Sequence, residues 1–208
     1  IGKEAFNGCT ALSKVTIGKD MRHIGVNAFF GTTLLDKAED MFYIDGFVIL
    51  SKNKGIKELT LKEGTYGIAD NAFVACTELS RIDLAGIRYV GSGAFGECTS
   101  LWEAAFDNAL LEIGAYAFTA CTQLTDVYLG ENTVSLGDYA FLGCTRLYSM
   151  ELPDSLTSVG TYCFNGTSAF NSSDGVVYID DWAVGLKQNI YRGLLIREGT
   201  RGIANYFA

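Results

Sequence analysis

Ile113-Gly114-Ala115-Tyr116-Ala117-Phe118-Thr119-Ala120-Cys121-Thr122-Gln123-Leu124 is the stretch that decides the fold, because the chain keeps restating it. In general form the phrase reads Ile-Gly-x-x-Ala-Phe-x-x-Cys-Thr-x-Leu. Its phenylalanine returns as Phe6, Phe29, Phe73, Phe95, Phe118, Phe141 and Phe164. Four of the successive gaps are 23 residues and one is 22, while Phe29 to Phe73 spans 44, about two periods with one phrase rewritten. A period of this length belongs to a solenoid, in which each unit is too small to bury its own apolar face and stacks on its neighbours.

The spacing inside one unit predicts its path. Leu124 to Leu129 alternates apolar and polar residues at its end, the pattern of a short half-buried strand. The same shape recurs at residues 12–17, 56–61, 79–84, 101–106 and 147–152. A loop follows, then Ile24-Gly25, Val90-Gly91, Ile113-Gly114, Leu136-Gly137 or Val159-Gly160. The glycine reads as the mark of a tight turn that a Cβ would resist. Ala-Phe-x-x-Cys, with apolar residues three apart, reads as one turn of short α or 3₁₀ helix. The expected coil is strand, bend, second short extended piece, helical turn, and stacking joins the strands into a parallel ladder around a continuous core.

A longer period lies over the short one. Phe29 and Phe164 are 135 residues apart, as are Tyr43 and Tyr178. Glu63-Gly64-Thr65-Tyr66-Gly67-Ile68-Ala69 matches Glu198-Gly199-Thr200-Arg201-Gly202-Ile203-Ala204 at that same offset without a gap. One unit of each super-repeat therefore carries an insertion, at about 38–54 and 171–189. Both read as β-hairpins: Met41 to Ile44, a turn at Asp45-Gly46, then Phe47 to Leu50; and Val176 to Ile179, Asp180-Asp181, then Trp182 to Val184. Asp-Gly between apolar runs is a strong hairpin signal, and Asp-Asp a weaker one.

These residues resemble the BspA-like leucine-rich repeat, whose phrase Ile-Gly-x-x-Ala-Phe-x-x-Cys-x-x-Leu-x-x-Val-x-Leu recurs here about seven times over almost the whole chain. The aromatic hairpin inserts are also similar to ones found within that family. The resemblance implies an α/β repeat fold: a right-handed leucine-rich-repeat solenoid with a parallel β-ladder, short helical or 3₁₀ turns and two β-hairpin insertions. It further implies a non-enzymatic binding or adhesion module of a surface or secreted protein, with partners on host or neighbouring cells. It brings no catalytic residue, cofactor or metal ligand. A structural spacer carrying other domains is the alternative role.

Composition excludes several classes. Apolar residues make up 49% and charged residues 19%, with a formal net charge of −8. Nucleic acid and anionic lipid are normally met by a basic face, so neither is an expected partner. No apolar run approaches the roughly 20 residues of a membrane span. The chain opens at Ile1 and ends at Ala208, both inside a phrase, so residues 1–208 read as a single solenoid cut from a longer array, with any targeting segment outside it.

Cys9, Cys76, Cys98, Cys121 and Cys144 occupy one slot of the phrase, and Thr32 and Thr167 fill it in the hairpin-bearing units. A slot that accepts both is small and semi-polar, so these cysteines read as packed free thiols. Cys163 replaces the alanine of Ala-Phe, another small slot. The only histidine, His23, reads as a solvated loop residue. Glu58, Asp83, Glu103, Asp126 and Glu151 offer carboxylate pairs in principle, but in an acidic chain they read first as a solvated strand face.

The remaining functional reading is an extended binding surface. Outward strand positions form two columns, Lys14, Glu58, Arg81, Glu103, Asp126, Ser149 and Thr16, Thr60, Asp83, Ala105, Tyr128, Glu151. Trp102 and Tyr148 lie along the same segments, and aromatic residues are typical anchors of binding surfaces. The candidate partner-binding residues are therefore Arg81, Asp83, Trp102, Glu103, Asp126, Tyr128, Tyr148 and Glu151, facing a protein or glycan. The hairpin aromatics Phe42, Tyr43, Phe47, Tyr178 and Trp182 form a rival candidate.

Overall fold

The computed structural model describes residues 1–172, 175–187 and 194–205 of the 208-residue chain. Each phrase winds one coil of a β-solenoid with parallel sheets and very little helix. The longest ladder forms on the second extended piece, the one containing Ile-Gly. Gly67–Ile68, Tyr89–Val90, Glu112–Ile113, Ser135–Leu136 and Ser158–Val159 pair in parallel, one coil to the next. Gly67, Tyr89, Glu112, Ser135 and Ser158 stand in a single column.

The Leu-x-x-Val-x-Leu segments form a second face of shorter ladders. Glu58–Thr60 pairs with Arg81–Asp83, and Glu103–Ala105 with Asp126–Tyr128. The ladder lapses between Asp83 and Glu103, where the loop after Leu84 makes the coil one residue shorter than its neighbours. Residues 12–17 and 147–152 are not strands. The coil that follows each of them carries a helix, Thr33–Asp36 or Ser168–Ser172, in the place of a pairing strand. Thr32 Oγ1 accepts from the Leu35 amide at 3.4 Å and Thr167 Oγ1 from the Phe170 amide at 3.1 Å, so threonine in the cysteine slot starts the helix as its N-cap.

The Ile-Gly glycines act differently from the expectation. Gly25, Gly91, Gly114, Gly137 and Gly160 have no positive φ, so no turn demands them. A Cβ on Gly137 would sit 2.4 Å from the Ala115 amide nitrogen, and one on Gly160 2.3 Å from that of Asp138. Close approach of one coil to the next excludes the side chain. Ala69 and Ala204 hold this slot where the preceding ladder neighbour is a hairpin strand, each donating its amide to that strand at 2.9 Å.

The Ala-Phe segment is a chain of hydrogen-bonded turns, not a helix. Within one coil the amides of Val74 and Cys76 donate to the carbonyls three residues back. The intervening amides of Asn71, Phe73 and Ala75 leave the coil and donate to Ser92, Ala94 and Gly96 of the next at 2.9, 2.7 and 2.8 Å. A helix would keep every amide inside its own backbone; here alternate amides bind the stack. Positive φ at Asn71 (56°) and Ala75 (58°) turns those amides outward.

The phenylalanines pile in register. Phe73, Phe95, Phe118, Phe141 and Phe164 stack at 5.2, 5.1, 5.4 and 5.5 Å between ring centres. Phe6 stacks on Phe29 at 5.3 Å. Between Phe29 and Phe73 the column is interrupted, because Phe42 meets Phe29 edge-on at 6.1 Å and Phe47 packs beside it. The core is therefore two clusters, not the one continuous column expected.

Both hairpins form. Met41–Ile44 pairs with Phe47–Ser51, and Val176–Ile179 with Trp182–Leu186, each with a bulge at the same place. Of the expected second insertion, residues 173–174 and 188–189 lie outside the described residues. Each hairpin joins the solenoid: Phe47–Ser51 pairs in parallel with Gly67–Ile68, and Trp182–Leu186 with Gly202–Ile203. The 135-residue offset persists in the hydrogen bonds. Asp45 Oδ2 accepts the Ile17 amide at 2.6 Å and Asp180 Oδ2 the Leu152 amide at 3.2 Å. The Tyr43 hydroxyl accepts from the Lys62 amide at 3.4 Å and that of Tyr178 from Arg197 at 2.8 Å.

Asp-Asp serves as the second turn for a visible reason. Only the first loop residue has positive φ, Asp45 at 46° and Asp180 at 53°, so the second place does not require glycine for its backbone. Gly46 is needed for space: a Cβ there would lie 2.2 Å from the Tyr66 ring. At the matching place Arg201 replaces tyrosine, and its Nη2 lies 3.0 Å from the Asp181 carboxylate.

Replacing Phe118 by alanine is expected to cost about 3–5 kcal/mol in urea unfolding, because it touches Phe95, Phe106 and Phe141. Phe6→Ala, in the half-covered first coil, should cost less, and hydrogen exchange should accelerate mainly in coils beside the lesion. Gly46→Asp alone should destabilise the first hairpin, and adding Tyr66→Arg should recover part of the loss. A double-mutant cycle should read a coupling of about 0.5–3 kcal/mol; simple additivity would contradict the paired-space account.

Candidate functional surface

The strand face brings most of the expected residues together. Glu58 aligns with Arg81 and Thr60 with Asp83; Glu103 aligns with Asp126 and Ala105 with Tyr128. Three of these strands bury the middle residue, Ile82, Ala104 or Val127, while Leu59 of the fourth is half-buried, and the flanking residues turn toward solvent. Arg81, Asp83 and Glu151 are exposed, and Glu103 and Asp126 half-buried. Tyr148, Tyr128 and Trp102 are 68%, 55% and 42% exposed.

Two depressions mark this face. One of about 530 Å³ is lined by Glu58, Thr60, Arg81, Asp83, Glu103 and Ala105. The other, about 400 Å³, is lined by Asp126, Tyr128, Ser149, Met150, Glu151 and the hairpin-turn residue Asp180. Trp102 immediately precedes its strand, and Tyr148 lies in a segment without regular strand. These two aromatics therefore flank the depressions and do not line them. The Asp126 carboxylate is held by the Thr125 hydroxyl at 2.6 Å. Among the described residues Arg81 is the one cation lining either depression.

The hairpin aromatics are not on offer. Phe42, Phe47 and Trp182 are buried, and Tyr43 and Tyr178 are half-buried with their hydroxyls engaged. The rival candidate is thereby corrected: these rings are core, because the hairpin strand occupies a ladder position and must bury its inner side. Sequence reading missed another aromatic row. Tyr116, Tyr139 and Tyr162 stack on the turn side at 4.8 and 5.5 Å, with φ of 57°, 57° and 51°. Their signal was present: other units place Asn27, Asn71 or Gly93 at this position, residues suited to that backbone.

His23 lies on the surface, with Nε2 3.0 Å from the Asp70 carboxylate. The cysteines are free thiols, buried except Cys9 in the first coil. Cys98, Cys121 and Cys144 donate to the Phe73, Phe95 and Phe118 carbonyls of the preceding coil at 3.2, 3.1 and 3.1 Å. Burial pushes the Cys98 and Cys144 thiols up to about 12, and raises Cys76, Cys121 and Cys163 as well. A thiol held protonated at pH 8 is a poor nucleophile and a poor metal ligand.

The model of the BspA type leucine-rich repeat region matches residues 1–39 and 50–171, in six copies. The chain belongs to the BspA-type leucine-rich repeat family. The break in the match falls on the first hairpin. A leucine-rich repeat protein from T. pallidum is similar over 57% of this chain and 58% of its own, at 28% identity and a TM-score of 0.53. One from Bacteroides ovatus aligns with the whole of this chain and 43% of its own, at 24% identity and a TM-score of 0.48. A leucine-rich cell surface protein from Faecalibacterium prausnitzii aligns over 76% and 52%, at 20% identity and a TM-score of 0.40. This BspA-type chain thus spans less than two thirds of the length of each. No curated protein matches it. Leucine-rich repeats commonly serve as protein-interaction modules and are generally non-catalytic. Among the described residues no helix is long and apolar enough to cross a membrane.

The thiols give a test by pH. Unfolded cysteine ionises near 9.0, whereas folded Cys98 and Cys144 hold their protons to about 12. Above pH 9 the unfolded chain therefore carries fewer protons than the native one, and stability falls as pH rises. The expected slope is about 1.4 kcal/mol per pH unit per thiol between the two values, absent below pH 8. Comparing urea unfolding of the native chain with a Cys98→Ala, Cys144→Ala variant isolates it; identical slopes would contradict the assignment.

Proposed function

We propose that this chain is a non-enzymatic interaction module of a secreted or cell-surface protein, binding a protein or glycan on host or neighbouring cells through its strand face. The observation that carries the reading is the exposure of Trp102, Tyr128 and Tyr148 beside two depressions lined by Arg81, Asp83, Glu103, Asp126 and Glu151. Large aromatics left open to solvent at the margin of a polar depression are suited to anchor a partner, and the surrounding carboxylates to orient its basic or hydroxyl groups. The family resemblance and the cell-surface neighbour from Faecalibacterium prausnitzii support the location.

The test is retention on arrays of host proteins and glycans. Trp102→Ala with Tyr128→Ala should weaken retention about 30-fold or more, as loss of two anchors does, while thermal unfolding stays close to that of the parent. Unchanged retention with the fold intact would move the role to that of a spacer holding other domains at a distance.

A further inference from the structure

The first hairpin leaves a gap in the stack, and the gap has the chemistry of a binding slot. In every coil whose successor follows the phrase, three turn amides donate across to the next coil. Glu4, Phe6 and Gly8 donate to Val26, Ala28 and Phe30; Tyr116, Phe118 and Ala120 donate to Asp138, Ala140 and Leu142. The coil of Phe29 has the same three positions, Asn27, Phe29 and Gly31, and their amides reach no acceptor among the described residues. Its neighbour is the hairpin, and between the two lies a wedge of open space.

Beside the wedge the Asp70 amide donates to Ile24 at 3.0 Å, tying the two coils together. The volume of the wedge is about 330 Å³, and its apolar floor is made by Phe29, Leu35, Phe42 and Ile49. The far wall is already satisfied. Ser51 donates its amide to the Ala72 carbonyl at 2.8 Å, and Lys54 Nζ reaches the Val74 carbonyl at 2.8 Å. Asp70 and Asn71 also line the cavity, Asp70 being engaged by His23 and the Ser92 amide; the backbone capacity left open is that of donors at alternate residues, with Phe29 only 1% exposed. Gly31 is half-buried and Asn27 exposed, so the buried Phe29 amide is the one whose lack of an acceptor is costly, and it favours an occupant that brings a carbonyl there.

We propose that this wedge binds an extended segment of a partner protein with the chemistry of the repeat's own turn: alternate backbone carbonyls and one large apolar side chain. The carbonyls cap Asn27, Phe29 and Gly31 as the missing coil would, and the side chain rests against the half-buried Leu35 and Leu50 of the cavity lining. Main-chain bonds to the turn supply affinity and the apolar lining supplies choice, as they do where a peptide adds to a sheet edge. The site is separate from the strand face.

The probe is an acetylated, amidated peptide of residues 137–143, Gly-Asp-Tyr-Ala-Phe-Leu-Gly, followed by amide hydrogen exchange of the whole chain. In the free protein the Phe29 and Gly31 amides should exchange about tenfold or more faster than those of Phe95 and Phe118, and the peptide should slow them by a similar factor. The same peptide with Phe141→Ala should lose most of that protection, and so should the Val74→Trp protein, whose new ring fills the mouth of the wedge. Trp102→Ala with Tyr128→Ala should leave it unchanged. The proposal fails if Phe29 is already as protected as Phe95, or if protection appears elsewhere. It fails equally if octanoate protects the amides as well as the peptide does, or if they become protected by raising the chain's own concentration without peptide, which would make the occupant a second copy.

Discussion

The structure depends on one constraint: consecutive coils must lie close enough for their backbones to exchange hydrogen bonds on two sides at once. The Ile-Gly ladder does this with glycines that have no room for a Cβ, and the Ala-Phe turns do it with every second amide. Ring stacking at about 5 Å follows from that separation and is not its cause. A unit of 23 residues cannot bury its own apolar face, so each coil is stable only as the floor of the next.

The same constraint explains where the pattern changes. Threonine replaces cysteine where a helix must start; alanine replaces glycine where the ladder neighbour is a hairpin strand. Asp181 with Arg201 replaces Gly46 with Tyr66, exchanging a steric fit for a charged one. The two hairpin-bearing stretches lie at a fixed offset, and their paired hydrogen bonds show that the offset is structural.

Much of this was legible in the sequence because it is periodic. The phenylalanine column, the hairpin strands and the outward columns all follow from spacing, since side chains at matched positions of stacked coils must meet. The reason for the Ile-Gly glycines was not legible, because a tight turn and a close approach leave the same residue. Nor was the amide alternation of the turns, which involves no side chain. Tyr116, Tyr139 and Tyr162 stood in a slot that suits asparagine or glycine, a departure visible in the letters but without meaning until the rings were seen to stack. The wedge beside Phe29 was out of reach altogether, since periodicity reports what repeats and the wedge exists where repetition stops.

The split of the interior at the first hairpin has a mechanical side. In a stacked array, tension is passed from coil to coil through the ladder bonds, and an uninterrupted column yields along its whole length. Here the Phe6–Phe29 pair and the Phe73–Phe164 column belong to separate packing units joined through an inserted ribbon. Such a joint behaves as a fuse. Under load the short end can peel away while the longer block holds, so extension need not mean rupture of the whole array.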